Sequence, residues 1–349
     1  MKKYYLLIVM SFAALGVMAQ TSLVATLTHA GVTTEYYGEK AFVTAVEASA
    51  DGDLITLSEG LFTGPIINKS LNIRGNGVGS TVITSNVTLD KSANEDEANH
   101  WLNIEGITFN ADIRIKGPGS TKPYVVKDLC MKKCDIKNFV FEDYYSNGYH
   151  YSTLKNCSFI NCRITNDIKI RNVCEVSFIN SIVRGYSCSG GEQVLNPKVN
   201  MLNCVIITNT APDRVSYLNA KNSVLLISVN NYRAYSFSPT VSFQNCVISG
   251  YIDSPSAVDS FFLNGIPHDK TIWMPMEEVF ATLTEYRLYD ATNDYQLNEI
   301  TSEEVDGNLL GIYNGEVPYT STVTYPHFTT FNVAEKAVDG KLSVEVATE

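Results

Sequence analysis

Between residues 131 and 248, apolar and polar positions alternate in short bursts, each ending on a polar residue, most often Asn, followed by a small one. Aligned on that pair, six segments share one register: Lys133-Cys134, Asn156-Cys157, Asn180-Ser181, Asn203-Cys204, Asn222-Ser223 and Asn245-Cys246. The steps from 133 through 156, 180, 203 and 222 to 245 are 23, 24, 23, 19 and 23 residues, the length of one solenoid coil. Two positions before the pair stand Met131, Leu154, Phe178, Met201, Ala220 and Phe243, and three after it Ile136, Phe159, Val183, Ile206, Leu225 and Ile248. Alternate apolar positions repeated coil after coil predict strands with one face inward, stacked at roughly 4.8 Å. The position two after the Asn faces outward and changes from Asp135 and Ser158 to Ile182, Val205, Val224 and Val247. An outward apolar stripe over four coils needs a cover, expected from residues 270–349, with a protein interface as the alternative.

A coil that turns a corner needs a residue able to enter the left-handed backbone region, which Asn does more readily than most non-glycine residues. Its amide can also bond the Asn of the next coil, so a ladder of amides is expected at the corner. The following column, Cys134, Cys157, Cys204 and Cys246 with Ser181 and Ser223, reads as small inward fillers. Parallel Cβ vectors on stacked coils suit a disulfide poorly, so these four thiols are read as free. A bridge among Cys130, Cys162, Cys174 and Cys188 stays open. The spacing Cys130-x-x-x-Cys134 lacks the second Cys/His pair of a zinc site.

Residues 21–37 alternate as a first strand, with Leu23, Ala25 and Leu27 apolar. Within 39–50, Ala41, Phe42, Ala45, Val46 and Ala48 recur at helical spacing, and Gly52 ends the run. A short helix there covers the open end of a solenoid. Insertions leave through corners, and three are visible: 90–100, 116–124 and 142–151. The last carries Tyr144, Tyr145, Tyr149, His150 and Tyr151. From about Ile266 the coil register is lost. Residues 276–283 read as a short helix, and 309–313, 320–325, 328–333 and 342–346 as antiparallel strands.

These repeats, with Asp51-Gly52-Asp53-Leu54-Ile55-Thr56-Leu57 and Ser70-Leu71-Asn72-Ile73-Arg74-Gly75 before them, resemble the right-handed parallel β-helix, or pectate-lyase-like, superfamily over about residues 38–265. The run Gly311-Ile312-Tyr313 with Pro318-Tyr319 and the late Asp339-Gly340 turn resembles the closing segment of exported β-helices from Bacteroidetes. The resemblance implies an all-β right-handed parallel β-helix with an N-terminal helical cap and a C-terminal β-rich closing segment. Residues 1–19 would be a signal peptide, 20–265 the β-helix with its cap, and 266–349 the closing segment. No single activity is implied, because the fold hosts lyases, hydrolases, esterases and non-catalytic adhesins.

Lys2-Lys3, the apolar run 4–17 and Val17-Met18-Ala19 before Gln20 form the three parts of a secretory signal peptide. Cleavage after Ala19 and a periplasmic, cell-surface or secreted location are expected. No Cys follows that cleavage site to anchor a lipoprotein, and no later apolar run is long enough to span a membrane. A formal net charge of −11 argues against nucleic acid, and against polyanions unless a local basic groove or bridging calcium reverses it.

Enzymes of the resembled superfamily use a basic residue with calcium ligands or Arg, or neighbouring Asp residues, on adjacent coils. Here the matched outward column reads Lys132, Lys155, Ile179, Leu202, Lys221 and Gln244, and Asp135, Asp167 and Glu175 are out of register. Arg114-Ile115-Lys116 matches a polygalacturonase tripeptide, but the motifs that accompany it there are missing. Asp90, Glu95, Asp96 and Glu97 lack the spacing of a calcium loop, so no metal or other cofactor is expected. The sequence favours a non-catalytic exported protein that binds a glycan or acts at the cell surface. The Tyr144, Tyr145, Tyr149, His150 and Tyr151 insertion is the candidate glycan site, because Tyr offers a flat apolar face with a polar tip; the same rings could instead pack on the coil below. A divergent polysaccharide lyase or glycoside hydrolase is the first alternative, and an adhesin using the apolar stripe for a protein partner the second. Expressed in a bacterium with its first 19 residues, the chain should be recovered outside the cytoplasm with Gln20 as its N-terminus by intact mass; a cytoplasmic chain starting at Met1 contradicts export.

Overall fold

A computed structural model describes residues 23–90, 101–116, 125–142, 153–171, 175–189, 198–208, 217–227, 240–250, 266–281, 293, 295–300, 303–320, 328–333 and 344–348. The chain is an all-β right-handed parallel β-helix whose strands stack into three walls. The first wall runs upward from Leu54–Leu57 through Leu71–Arg74, Leu102–Glu105, Leu129–Lys132, Cys157–Ile160, Val176–Ile179, Val199–Leu202 and Leu218–Lys221 to the start of Ser242–Gly250. The second wall includes Gly60–Phe62, Thr81–Ile83, Ile182–Arg184, Val205–Thr208 and Val224–Ile227. Three long strands, Thr108–Lys116, Asp135–Glu142 and Arg163–Arg171, bend from the second wall into the third, which begins at Ile66–Ile67 and Val87–Leu89. Alternation puts one side chain in two inward, so a single column of Ile, Leu, Val, Met and Phe fills the tube. Phe159 stacks on Phe178 with centroids 4.9 Å apart and meets Phe139 edge-on at 5.6 Å.

The lower end is closed as the helical pattern predicts. Helix Ala41–Ala48 buries Ala41, Phe42, Ala45 and Val46. Its last carbonyls are satisfied by the Lys69 ammonium, which donates to the oxygens of Val46, Glu47 and Ser49 at 3.0, 2.9 and 2.5 Å. The first strand of the sequence reading is two: Val24–His29 and Val32–Tyr37 pair antiparallel, and the first also pairs with Leu54–Leu57. Ala30 and Gly31, with φ of 49° and 83°, make the hairpin turn that alternation alone conceals.

The coil register differs from the sequence alignment at one place. Lys133 is followed in the stack by Asn161, not Asn156: the Lys133 N–H bonds the Ile160 carbonyl at 2.9 Å, and Phe159 pairs with Met131 below and Phe178 above. The steps are therefore 28 residues from 133 to 161 and 19 from 161 to 180. Asn156-Cys157 and Asn161-Cys162 both satisfy the pattern, five residues apart. Asn156 also has a left-handed φ, 54°, but at the opposite end of the first wall, where its amide bonds Asp128 below. The extra length of the lower coil is used by a small parallel pair, Val125–Lys127 with Thr153–Lys155.

The Asn column turns corners as expected, with φ of 54°, 45°, 53°, 52° and 50° at Asn161, Asn180, Asn203, Asn222 and Asn245. The amide ladder is mostly replaced by something else. Asn245 bonds Asn222 at 3.0 Å, but the amides of Asn180, Asn203 and Asn245 itself hold the backbone of residues 306–314. Asn180 Nδ2 donates to the carbonyls of Ile312 and Asn314 at 2.8 and 2.6 Å, and Asn203 Nδ2 to those of Leu309 and Gly311 at 2.5 and 3.3 Å. Asn245 exchanges bonds with Asp306, its Nδ2 reaching the carbonyl and its Oδ1 accepting the N–H. Gly315 passes so close that a Cβ there would stand 2.8 Å from Asn203 Oδ1. Residues 309–313, expected as a strand, form instead the end of a 3-10 turn and an irregular run, because their carbonyls face the Asn amides and not a neighbouring strand.

That run brings the cover. Ile182, Val205, Val224 and Val247 are at most 2 % exposed, packed against Met276, Val279, Phe280, Tyr295, Leu310 and Ile312. The apolar stripe is thus a second core inside the chain. Farther on, Phe328–Val333 and Val344–Thr348 pair antiparallel. Removing the Asn203 amide should loosen this cover: Asn203→Ala leaves the buried Gly311 carbonyl and the partly buried Leu309 carbonyl unpaired and should cost about 1–3 kcal/mol, read as a lower Tm with earlier proteolytic cleavage at residues 306–314. Asn203→Gly, free of left-handed strain, should be cleaved early too while losing less Tm; wild-type cleavage rates in both variants contradict the docking role.

Candidate functional site

With the upper coils of the second wall covered, the outer face of the first wall is a surface that the described residues leave exposed. Its outward side chains form two columns. One carries Asn72, Asn103, Cys130, Ser158, Ser177, Asn200, Asn219 and Ser242, placed one per coil by strand register. Neighbouring amides bond along it: Asn103 Nδ2 to Asn72 Oδ1 at 3.0 Å, Asn219 Nδ2 to Asn200 Oδ1 at 3.4 Å and Ser242 Oγ to Asn219 Oδ1 at 2.7 Å. The other changes from Arg74, Glu105 and Lys132 on the lower coils to Ile160, Ile179 and Leu202 above them. The lower coils form an open trough of about 160 Å³ lined by Asn72, Arg74, Asn103, Glu105, Cys130 and Lys132. This is smaller than an enclosed ligand pocket and suits a surface contact.

A second polar array stands at the corner between second and third walls. Asp112 accepts from Arg114 Nε and Nη2 at 3.2 and 3.0 Å and from Asn138 Nδ2 at 2.9 Å, and Asn166 Nδ2 reaches Asn138 Oδ1 at 2.9 Å. Burial pushes the Asp112 carboxyl up, but the Asn138 amide and Arg114 guanidinium outweigh it and hold the group below its ordinary value. Arg114, singled out by its tripeptide, is thus tied to a carboxylate. A third cluster lies beneath the C-terminal cover: Asp135 pairs with Arg163 through both guanidinium nitrogens Nε and Nη2. Burial raises the Asp135 carboxyl against the pull of Arg163, and burial with the Asp135 charge raises the Tyr319 phenol.

Tyr144, Tyr145, Tyr149, His150 and Tyr151 lie outside the described residues, in the segment between Asp135–Glu142 and Thr153–Lys155. The acidic insertion 91–100 lies outside them as well. Sequence reading passed over Asn72 and Asn103, although their alternation with Leu71, Ile73, Leu102 and Ile104 marks both as outward. Among the described residues no group of three His, Cys, Asp or Glu could hold a metal ion, and no helix is long and apolar enough to cross a membrane. Compared with protein-family models, curated proteins and solved structures, the chain matches none.

The thiols follow the corrected register. Cys134, Cys162, Ser181, Cys204, Ser223 and Cys246 form the inward column beside the Asn corner, all buried, and the thiols donate to backbone carbonyls. Cys130, Cys134, Cys157, Cys162, Cys204 and Cys246 are free, so neither Cys130 nor Cys162 is in a bridge; Cys174 and the side chain of Cys188 lie outside the described residues. Burial pushes Cys204 up to about 12 and Cys246 to about 11, from an ordinary 9.0. A raised folded-state pKa means stability that is fully present below pH 9 and is lost as pH climbs through 11 and 12. Half-exposed Cys130 should therefore alkylate at pH 8 in the native protein, while Cys134, Cys157, Cys162, Cys204 and Cys246 react only in denaturant, as peptide mapping by mass spectrometry would show. Native labelling of Cys204 or Cys246 contradicts the buried column.

Proposed function

We propose that this protein is an exported, non-catalytic member of the pectate-lyase-like superfamily that presents the open first wall to a glycan. The observation that carries this reading is the hydrogen-bonded amide pair Asn72–Asn103 beside Arg74, Glu105 and Lys132 in an open trough. Amides present donors and acceptors together, which matches sugar hydroxyls, and a rigid sheet pre-pays the ordering cost of binding. The Tyr144, Tyr145, Tyr149, His150 and Tyr151 segment belongs to the same proposal as a supply of stacking rings.

A divergent lyase or hydrolase is the second reading, favoured by Asp112 and Arg114 standing together at the edge of the third wall. Asp112, held ionised, could act as a base or nucleophile but not as the general acid, and the raised carboxyl, Asp135, lies buried in its pair with Arg163. The test is binding of the mature chain to a panel of plant, algal and host polysaccharides, alongside release of reducing ends with and without calcium. Binding without release is expected. The double substitution Asn72→Ala, Asn103→Ala should weaken binding at least about tenfold, equivalent to 1.4 kcal/mol. Reducing ends above the heat-killed control overturn the non-catalytic reading, and folded protein that binds no polymer overturns the glycan reading.

A further inference from the structure

Two solvent-facing surfaces, one on each side of the Asn corner, carry apolar centres and opposite charge. On the first wall Ile160, Ile179 and Leu202 stand above one another on successive coils, with Leu202 37 % exposed. The column continues into exposed Lys132 directly below Ile160 and exposed Lys221 directly above Leu202, with exposed Lys198 and Glu175 at the far edge of the same wall. Across the corner, the segment covering the second wall leaves Leu309, Tyr313 and Val317 41–45 % exposed. It also carries exposed Glu277, Glu299 and Glu303, and its described residues between 274 and 320 include no Lys or Arg.

We propose that these surfaces are the two halves of one interface, the first wall of one copy receiving the C-terminal face of a second copy of this chain. Each half supplies apolar side chains for the centre and charges for the rim, the arrangement of protein interfaces. The charges are opposite across the contact although the chain as a whole carries −11, so attraction is local to these faces and repulsion acts between all others. One molecule cannot close the contact on itself, because both faces belong to a single rigid stack and diverge from the corner. Made head to tail the contact repeats into a ring or a filament, and made reciprocally it closes a two-fold dimer. The strip adjoins the Asn72–Asn103 trough at Lys132, so the charge substitutions that test the contact leave Lys132 in place.

The mature full-length chain should sediment as concentration-dependent oligomers at physiological ionic strength, where the Debye length is about 8 Å. The variant Lys198→Glu, Lys221→Glu has two acidic faces, and the variant Glu277→Lys, Glu299→Lys, Glu303→Lys two basic ones. Each alone should be monomeric, with wild-type circular dichroism and Tm showing that it is folded. An equimolar mixture should associate again, since each variant then meets the opposite charge on the other. A wild-type chain that stays monomeric across the concentration range overturns the proposal, as does a mixture of folded variants that fails to associate.

Discussion

Everything in this molecule depends on a left-handed backbone corner repeated in register. Lys133, Asn161, Asn180, Asn203, Asn222 and Asn245 hold φ between 45° and 54°, and the corners from Lys133 to Asn222 pass their backbone N–H to the carbonyl of the coil above. Because every coil turns at the same phase, the residue before the corner always closes the first wall, and the one two positions after it always faces outward on the second. A single favourable turn residue thus fixes which side chains meet, over a stack in which each coil contacts only its neighbours. The small column of Cys and Ser just inside the corner follows from the same geometry, since the turn leaves little room there; Ser181 and Ser223 hydroxyls even accept the backbone N–H of Cys162 and Cys204 on the coil below.

The corner also leaves one amide per coil at the outer edge, and this spare capacity decides how the chain ends. An isolated amide ladder would satisfy its members in pairs. Here most amides instead take up carbonyls of an irregular segment that could not otherwise bury them without cost. That segment can consequently lie over the outward apolar stripe without forming a strand of its own. The stripe ends where the outward column changes from Ile182 to Arg163 and Asp135. The paired charges mark the lower limit of the cover, roofed by Tyr319. Such a buried pair adds little net stability, but removing either partner would strand the other.

The three walls therefore have different physical characters on one scaffold. The upper coils of the second are closed by its own chain, the third has a polar corner whose carboxylate is held ionised by Arg114 and Asn138, and the first presents exposed columns of polar and aliphatic side chains. On the open wall the outward columns change along the axis, from amides and alternating charges below to an aliphatic strip with lysines above. The two regions meet where Lys132 gives way to Ile160 on adjacent coils of one rigid sheet.

Sequence alone determined the fold class, the helical cap, the inward columns and the need for a cover over Ile182, Val205, Val224 and Val247, because period-two burial and a recurring turn residue are local and repeat many times. It misplaced one coil, since Asn156-Cys157 and Asn161-Cys162 offer the same local signal and only stacking against Met131 and Phe178 chooses between them. It read 309–313 as a strand because alternation is blind to what lies opposite. The tertiary structure decided the partners of the Asn amides and the pairing of Asp135 with Arg163 and of Asp112 with Asn138. Each of those depends on residues far apart in the chain, up to 134 positions for Asn180 and Asn314, whose contact no local pattern encodes.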